Sequence, residues 1–161
     1  MIVAQTLTDQ DTDDPSQVGP LLDQIGDPIV QVTADGAYDG APTYQTIATH
    51  SDEIEVVIPP RSTAVPSGEP GVPTQRDRPL AMIADQGRLA WQAGTGQDRT
   101  GYSRRSLVEM TMGRHKALIG PRLRARGFAA QQTDAAVGVA VLNRILAAGC
   151  QDCVRRQPVI A

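Results

Sequence analysis

The 161-residue chain is 40% apolar, carries a formal net charge of −3 and is long enough for one domain with its own core. Only five aromatic residues are present, so that core must be aliphatic, and 12 Pro with 15 Gly imply long irregular stretches. No run of eighteen apolar residues occurs, which excludes a membrane-spanning helix, and MIVAQTLTDQDTDD turns acidic without the basic flank of a secretory signal.

The modest net charge hides an asymmetry. Residues 1–60 hold eleven acids and no Lys or Arg, whereas residues 61–161 hold fifteen bases and seven acids, giving −11 against +8. Such polarity implies a polyanionic partner for the C-terminal part.

In chain order, MIVAQTL is a short β-prone run with no partner strand before it. DTDDPS offers turn and capping residues ahead of QVGPLLDQI, a short helix with Pro20 in its first turn. PIVQV is the next strand, and TADGAYDG follows it, with Asp35 at the strand end. APTYQTIATH reads as a helix packing Tyr44, Ile47 and Ala48, and EIEVVIPP as a strand closed by the double proline. This β-α-β-α-β order argues for an α/β fold with a mixed sheet flanked by helices.

STAVPSGEPGVPTQ should be an exposed loop, and RDRPLAMIADQGRLAWQ resumes a helical pattern with Leu80, Ile83 and Ala84 on one side. Residues 62–98 thus form a loop-and-helix insertion, and residues 99–148 hold the last two helices, YSRRSLVEMTMGRHKALIG and TDAAVGVAVLNRILAAG, the second opened by a Thr or Asp cap. Cys150 and Cys153 form a lone CQDC without a second pair, which reads as two incidental thiols, a metal or redox role being the alternative.

Between Arg99 and Arg126 lie eight Lys or Arg residues, and Glu109 is the only acid. On an α-helix that turns about 100° per residue, Tyr102, Arg105, Glu109 and Lys116 fall within an arc of roughly 60°. Leu107, Val108, Leu118 and Ile119 are left to pack elsewhere on the circumference. One reading is an exposed face with an Arg105–Glu109 i, i+4 pair. The other is a metal-binding carboxylate flanked by cations and a phenol that grip phosphates, which needs a second carboxylate from another element. Asp35, on a rigid strand end with Gly36 beside it, meets that need, although alone it would be a simple turn aspartate. Asp39 reads as a helix cap or turn former.

The spacing Tyr102, Arg105, Glu109, Lys116, together with TADGAYD and VVIPPR upstream, resembles the C-terminal half of a bacterial insertion-sequence DDE transposase. The resemblance runs from MIVAQTLT to AVLNRI. It implies a ribonuclease H-like fold in which two aspartates and a glutamate hold two Mg2+ or Mn2+ ions for DNA cleavage and strand transfer. On that resemblance Asp35 and Glu109 are the second and third catalytic and metal-binding acids. Tyr102, Arg105 and Lys116, with Arg104 and Arg114 of the same stretch, would bind DNA. The implied partners are transposon-end DNA and a full-length transposase or a second copy, with no membrane. The implied setting is the nucleoid in the bacterial cytoplasm.

In the family the first aspartate lies on a strand well before a segment like MIVAQTL, whereas Asp9, Asp11, Asp13 and Asp14 follow it in a surface turn. The expectation is therefore a truncated domain, residues 1–161, lacking its first strands, with Met1 an internal methionine of a longer frame. Such a fragment would be inactive alone. The alternative is a non-catalytic DNA-binding remnant that interferes with a full-length transposase.

Overall fold

The computed structural model describes residues 1–68, 72–94 and 101–149. Its sheet, among the described residues, is a parallel pair, β1 (Gln31–Thr33) and β2 (Glu55–Val57), in the register Gln31↔Glu55, Val32↔Val56, Thr33↔Val57. Parallel strands require a crossover, and α2 (Ala41–His50) supplies it. Hence the sheet expected to be mixed is purely parallel among the described residues.

The helix α2 starts where the sequence directs it. Gly40 is its extended N-cap and Pro42 sits in the first turn, where its missing N–H costs no hydrogen bond. Thr43 and Ile47, one turn apart, are its buried residues, with Tyr44 half-buried beside them; Ala48, expected on that face, is exposed. Ile47 joins Leu22 of α1 (Val18–Leu22) and Ile54, Val56 and Ile58 around β2 in one aliphatic cluster. Val18, Ile29, Val32, Ala34, Tyr38 and Tyr44 pack against that cluster. Asp13 caps the short 3-10 turn Asp14–Gln17 ahead of α1, as the DTDDPS signal predicts.

MIVAQTL forms no strand. Side-chain amides take some of the backbone groups that a neighbouring strand would have taken. Asn143 accepts from the Ile2 N–H at 2.8 Å and donates to its carbonyl at 2.7 Å, and Gln24 accepts from the Gln5 N–H at 3.2 Å. Likewise the helical pattern after residue 76 is two helices, α3 (Asp77–Gln86) and α4 (Arg88–Ala93). Gly87 lies between them at φ +85°, a conformation that an L side chain rarely adopts. Leu80 and Ile83 are half-buried on α3, and Ala84 is exposed.

Residues Tyr102–Arg105 form a 3-10 turn leading into α5 (Ser106–Leu118). No residue of α5 is buried, and Leu107, Val108 and Leu118, expected to pack, are 54%, 62% and 57% exposed. The last helix, α6 (Phe128–Ala147), begins earlier than the expected Thr133 or Asp134 cap. Gly127 is its N-cap and Asp134 instead holds the preceding segment, accepting from the Arg124 N–H at 2.7 Å.

The chain divides into two compact units, Val3–Gly113 and Met1–Ile2 with Arg114–Ala161. The first holds the sheet, the aliphatic cluster and α1 to α4; in the second, His115 and Ile119 lie against Gly138 of α6, and Leu142 is fully buried. No helix among the described residues is long and apolar enough to cross a membrane. Cys150 and Cys153 lie outside the described residues.

Candidate functional site

At the end of β1 the backbone turns sharply, and Asp35 makes the turn. It is the extended N-cap of the 3-10 turn Gly36–Tyr38, and its Oδ1 accepts from the Ala37 N–H at 2.8 Å. Gly36 leaves room there, since a Cβ would stand a tight 3.2 Å from the Pro59 carbonyl oxygen. The glycine thus lets the turn pass close to the β2 exit.

A second side chain fixes the same turn from across the fold. Arg61, which ends VVIPPR, donates from Nε to the Gly36 carbonyl at 3.2 Å and from Nη2 to the Ala37 carbonyl at 2.7 Å. Asp39 anchors Arg61 in turn, accepting from its backbone N–H at 2.8 Å. The same carboxylate receives Arg76 Nε at 2.7 Å and Nη2 at 3.3 Å. Its side chain is 1% exposed while Arg76 is half-buried, and the hydrogen bond to Asp39 holds the Arg76 guanidinium still more firmly protonated. Asp39 closes the 3-10 turn, but its side chain is a structural hub. Nearby, burial first and the Asp39 charge second push the Tyr44 phenol up to about 12.

The other half of the candidate site comes from the 3-10 turn and α5. Arg105 Nη2 lies 2.8 Å from Glu109 Oε1, the predicted i, i+4 pair, and Arg105 Nη1 lies 3.8 Å from Asp35 Oδ2. One guanidinium therefore engages both predicted acids. An exposed helical pair accounts for the first contact and says nothing of the second. The carboxylates are accessible, with the side chains of Asp35 and Glu109 46% and 63% exposed.

Tyr102 joins the same group. The Arg105 guanidinium stands 5.9 Å from its ring centroid, within cation–π range, and the Trp91 ring meets Tyr102 at 5.4 Å, tilted by 42°. Because Tyr102–Arg105 is a 3-10 turn, the α-helical arc does not apply to Tyr102. Contact through Arg105 links Tyr102 to Glu109 instead. Arg104, in the same turn, is exposed and borders a depression lined by Val3, Ile25, Ile29 and Val30. Arg114 and Lys116, farther along α5, are exposed and belong to the second unit.

Sequence reasoning missed Arg61, Arg76 and Trp91 as supports of the site. Arg61 stands in the VVIPPR motif, and Trp91 is the single tryptophan of the chain, so each left a signal. Arg76 left none, because nothing in its neighbourhood points to Asp39.

A further carboxylate organises the loop expected to be merely exposed. Asp77 accepts from the backbone N–H groups of Ser67, Gly68 and Thr74 at 2.8, 2.9 and 3.0 Å and from the Thr74 hydroxyl at 2.8 Å. These donors, the Ser67 N–H foremost, hold its carboxyl well below the usual carboxylate range.

The donors at the candidate site suit a hard cation. Asp35 and Glu109 offer carboxylate oxygens open to water, and a guanidinium already bridges them as a positive charge. Magnesium and manganese keep several waters and take one or two carboxylates together with substrate phosphates. Among the described residues no group of three His, Cys, Asp or Glu side chains stands ready to hold a metal. A family model described as a transposase DDE domain matches residues 1–144. No solved structure matches the chain.

Proposed function

The chain belongs to the transposase DDE domain family, and within that family we propose that Asp35 and Glu109 are the second and third acids of a divalent-metal site acting on DNA. The observation that carries this reading is Arg105, which engages both acids from one guanidinium, at 3.8 and 2.8 Å. Two open carboxylates from separate elements that already meet at one cation supply the oxygen donors that Mg2+ or Mn2+ takes, in exchange for the guanidinium. A bound ion would activate a hydroxyl nucleophile and offset charge on the phosphodiester under attack.

The remaining roles belong to the chain's own residues. Arg105 neutralises the two carboxylates, and its planar fork equally suits a phosphate. Tyr102, held by Trp91, presents a ring for stacking or a hydroxyl for a hydrogen bond. Arg104, Arg114 and Lys116 add exposed positive charge for the phosphate backbone. The DNA on this reading is the end of a bacterial insertion sequence.

We further read the chain as a partial, ribonuclease H-like catalytic domain that does not cleave DNA alone. Two acids without a third at hand, among the described residues, leave the geometry of two-metal catalysis under-determined. The charge of +8 on residues 61–161 favours a second reading, a DNA-binding remnant that interferes with a full-length transposase.

Two measurements separate these statements. Loss of the free Mn2+ signal in electron paramagnetic resonance should report weak uptake that Asp35→Asn and Glu109→Gln each abolish. Uptake indifferent to both substitutions would overturn the metal site. Supercoiled plasmid with MgCl2 or MnCl2 should remain intact, and nicking that disappears in Asp35→Asn would overturn the partial-domain reading.

A further inference from the structure

We propose that residues 121–127, PRLRARG, form a braced comb of three guanidiniums that grips successive phosphates of one nucleic-acid strand. Arg122, Arg124 and Arg126 are exposed, and Leu123 and Ala125 between them are half-buried. Between bends at residues 121–122 and 126–127 the backbone runs on without a turn, and in an extended chain every second side chain stands on one side, about 6.6 Å apart. Neighbouring phosphates along a strand recur at a similar interval.

The segment is fixed from below. Asp134 Oδ2 accepts from the Arg124 N–H at 2.7 Å and from the Ala125 N–H at 3.5 Å, and Gln131 Nε2 donates to the Ala125 carbonyl at 3.1 Å. Both braces come from the first turns of α6, so the middle of the comb is tied to a helix. Asp134 is the only acid from Arg114 to Gly149, and its carboxylate faces backbone amides. Among the described residues no ion pair engages Arg122, Arg124 or Arg126. Three exposed like charges on alternate residues, with no ion-pair partner among the described residues, call for a polyanion.

A nucleic acid fits better than a membrane surface. Segments that lie on membranes combine basic residues with an apolar face that enters the lipid. Here the residues alternating with the arginines, Leu123 and Ala125, are half-buried and offer no exposed apolar face.

The inference rests on the reading that the chain acts on DNA, but not on its metal site, so binding is measured in EDTA. The probe is a fluorescent duplex of arbitrary sequence, followed by anisotropy across a potassium chloride series. Replacing Arg122, Arg124 and Arg126 together by Gln should lower the slope of log K against log salt by about 2.7, roughly 0.9 for each phosphate no longer neutralised. Arg144→Gln, which removes an exposed charge of the same unit, should lower it by less than about 0.9.

The braces decide between a comb and a diffuse basic patch. Asp134→Ala makes the protein more positive, so a patch would bind more tightly, whereas a loosened comb binds several-fold more weakly. Gln131→Ala leaves the charge unchanged and should weaken binding in the same direction, which keeps the test open should Asp134→Ala not fold. Tighter or unchanged binding by the folded brace variants overturns the proposal. So does a triple variant that keeps its DNA affinity but loses binding to phosphatidylserine vesicles. Wild-type protein that fails to bind the duplex overturns it as well, while Mn2+ uptake through Asp35 and Glu109 stays separately measurable.

Discussion

Asp35 and Asp39 belong to one short stretch, TADGAYDG, yet they sit in opposite physical settings. Asp39 is enclosed, with Arg76 and the Arg61 N–H occupying both of its oxygens. Asp35 is half open to water, caps a 3-10 turn with one oxygen and meets Arg105 loosely, at 3.8 Å, with the other. The buried carboxylate builds the turn, through Arg61, and the exposed one is carried on it. On the proposed reading the pair divides into a support, Asp39, and a metal ligand, Asp35, and burial is what separates them.

The sharpest break of this comparison is Asp39→Ala. It leaves the half-buried Arg76 and the Arg61 N–H without their acceptor and should cost roughly 1–3 kcal/mol in urea denaturation. It should also reduce Mn2+ uptake by freeing Arg61 and the turn that bears Asp35. Removing Asp39 and Arg76 together should cost less than the sum of the two single changes, a coupling that a double-mutant cycle reads directly.

Asp77 provides an intermediate case, a carboxylate held by backbone amides rather than by a cation. Its folded-state affinity for protons is depressed, so its stabilising contribution is present above its unfolded value of about 3.9 and is lost as pH falls below it. Asp77→Asn should lower the melting temperature at pH 7 by several degrees. The gap from wild type should narrow on acidification below about pH 4, and a gap that stays constant would contradict the assignment.

The smallest effect is expected at Asp35 itself. Asn caps as well as Asp and the lost ion pair is exposed, so Asp35→Asn should change stability by less than about 1 kcal/mol in the same denaturation experiment. A large loss would show that Asp35 is a structural aspartate after all.

Much of the fold was legible where local signals and packing agree. Gly40 and Pro42 mark the start of α2, Thr43 and Ile47 set its buried face, and Val- and Ile-rich runs mark β1 and β2. Legibility failed where a distant partner decides. MIVAQTL is β-prone, but Asn143 and Gln24 pair with its backbone, and no strand forms. Asp134 looks like a helix cap, yet it lies inside α6 and faces the segment before it. At the site, the Arg105–Glu109 contact follows from spacing alone, whereas the Arg105–Asp35 contact and the burial of Asp39 depend on the whole of the first unit.

Trp91 has a use that follows from its position and its solitude. It is 2% exposed, and its ring meets Tyr102, which also lies beside the Arg105 guanidinium. Its intrinsic emission should be blue-shifted in the native protein, and energy transfer from Tyr102 should contribute to it. Any ligand that draws Arg105 away from Tyr102 alters the surroundings of the chain's one indole, so occupancy can be followed optically without attaching a label.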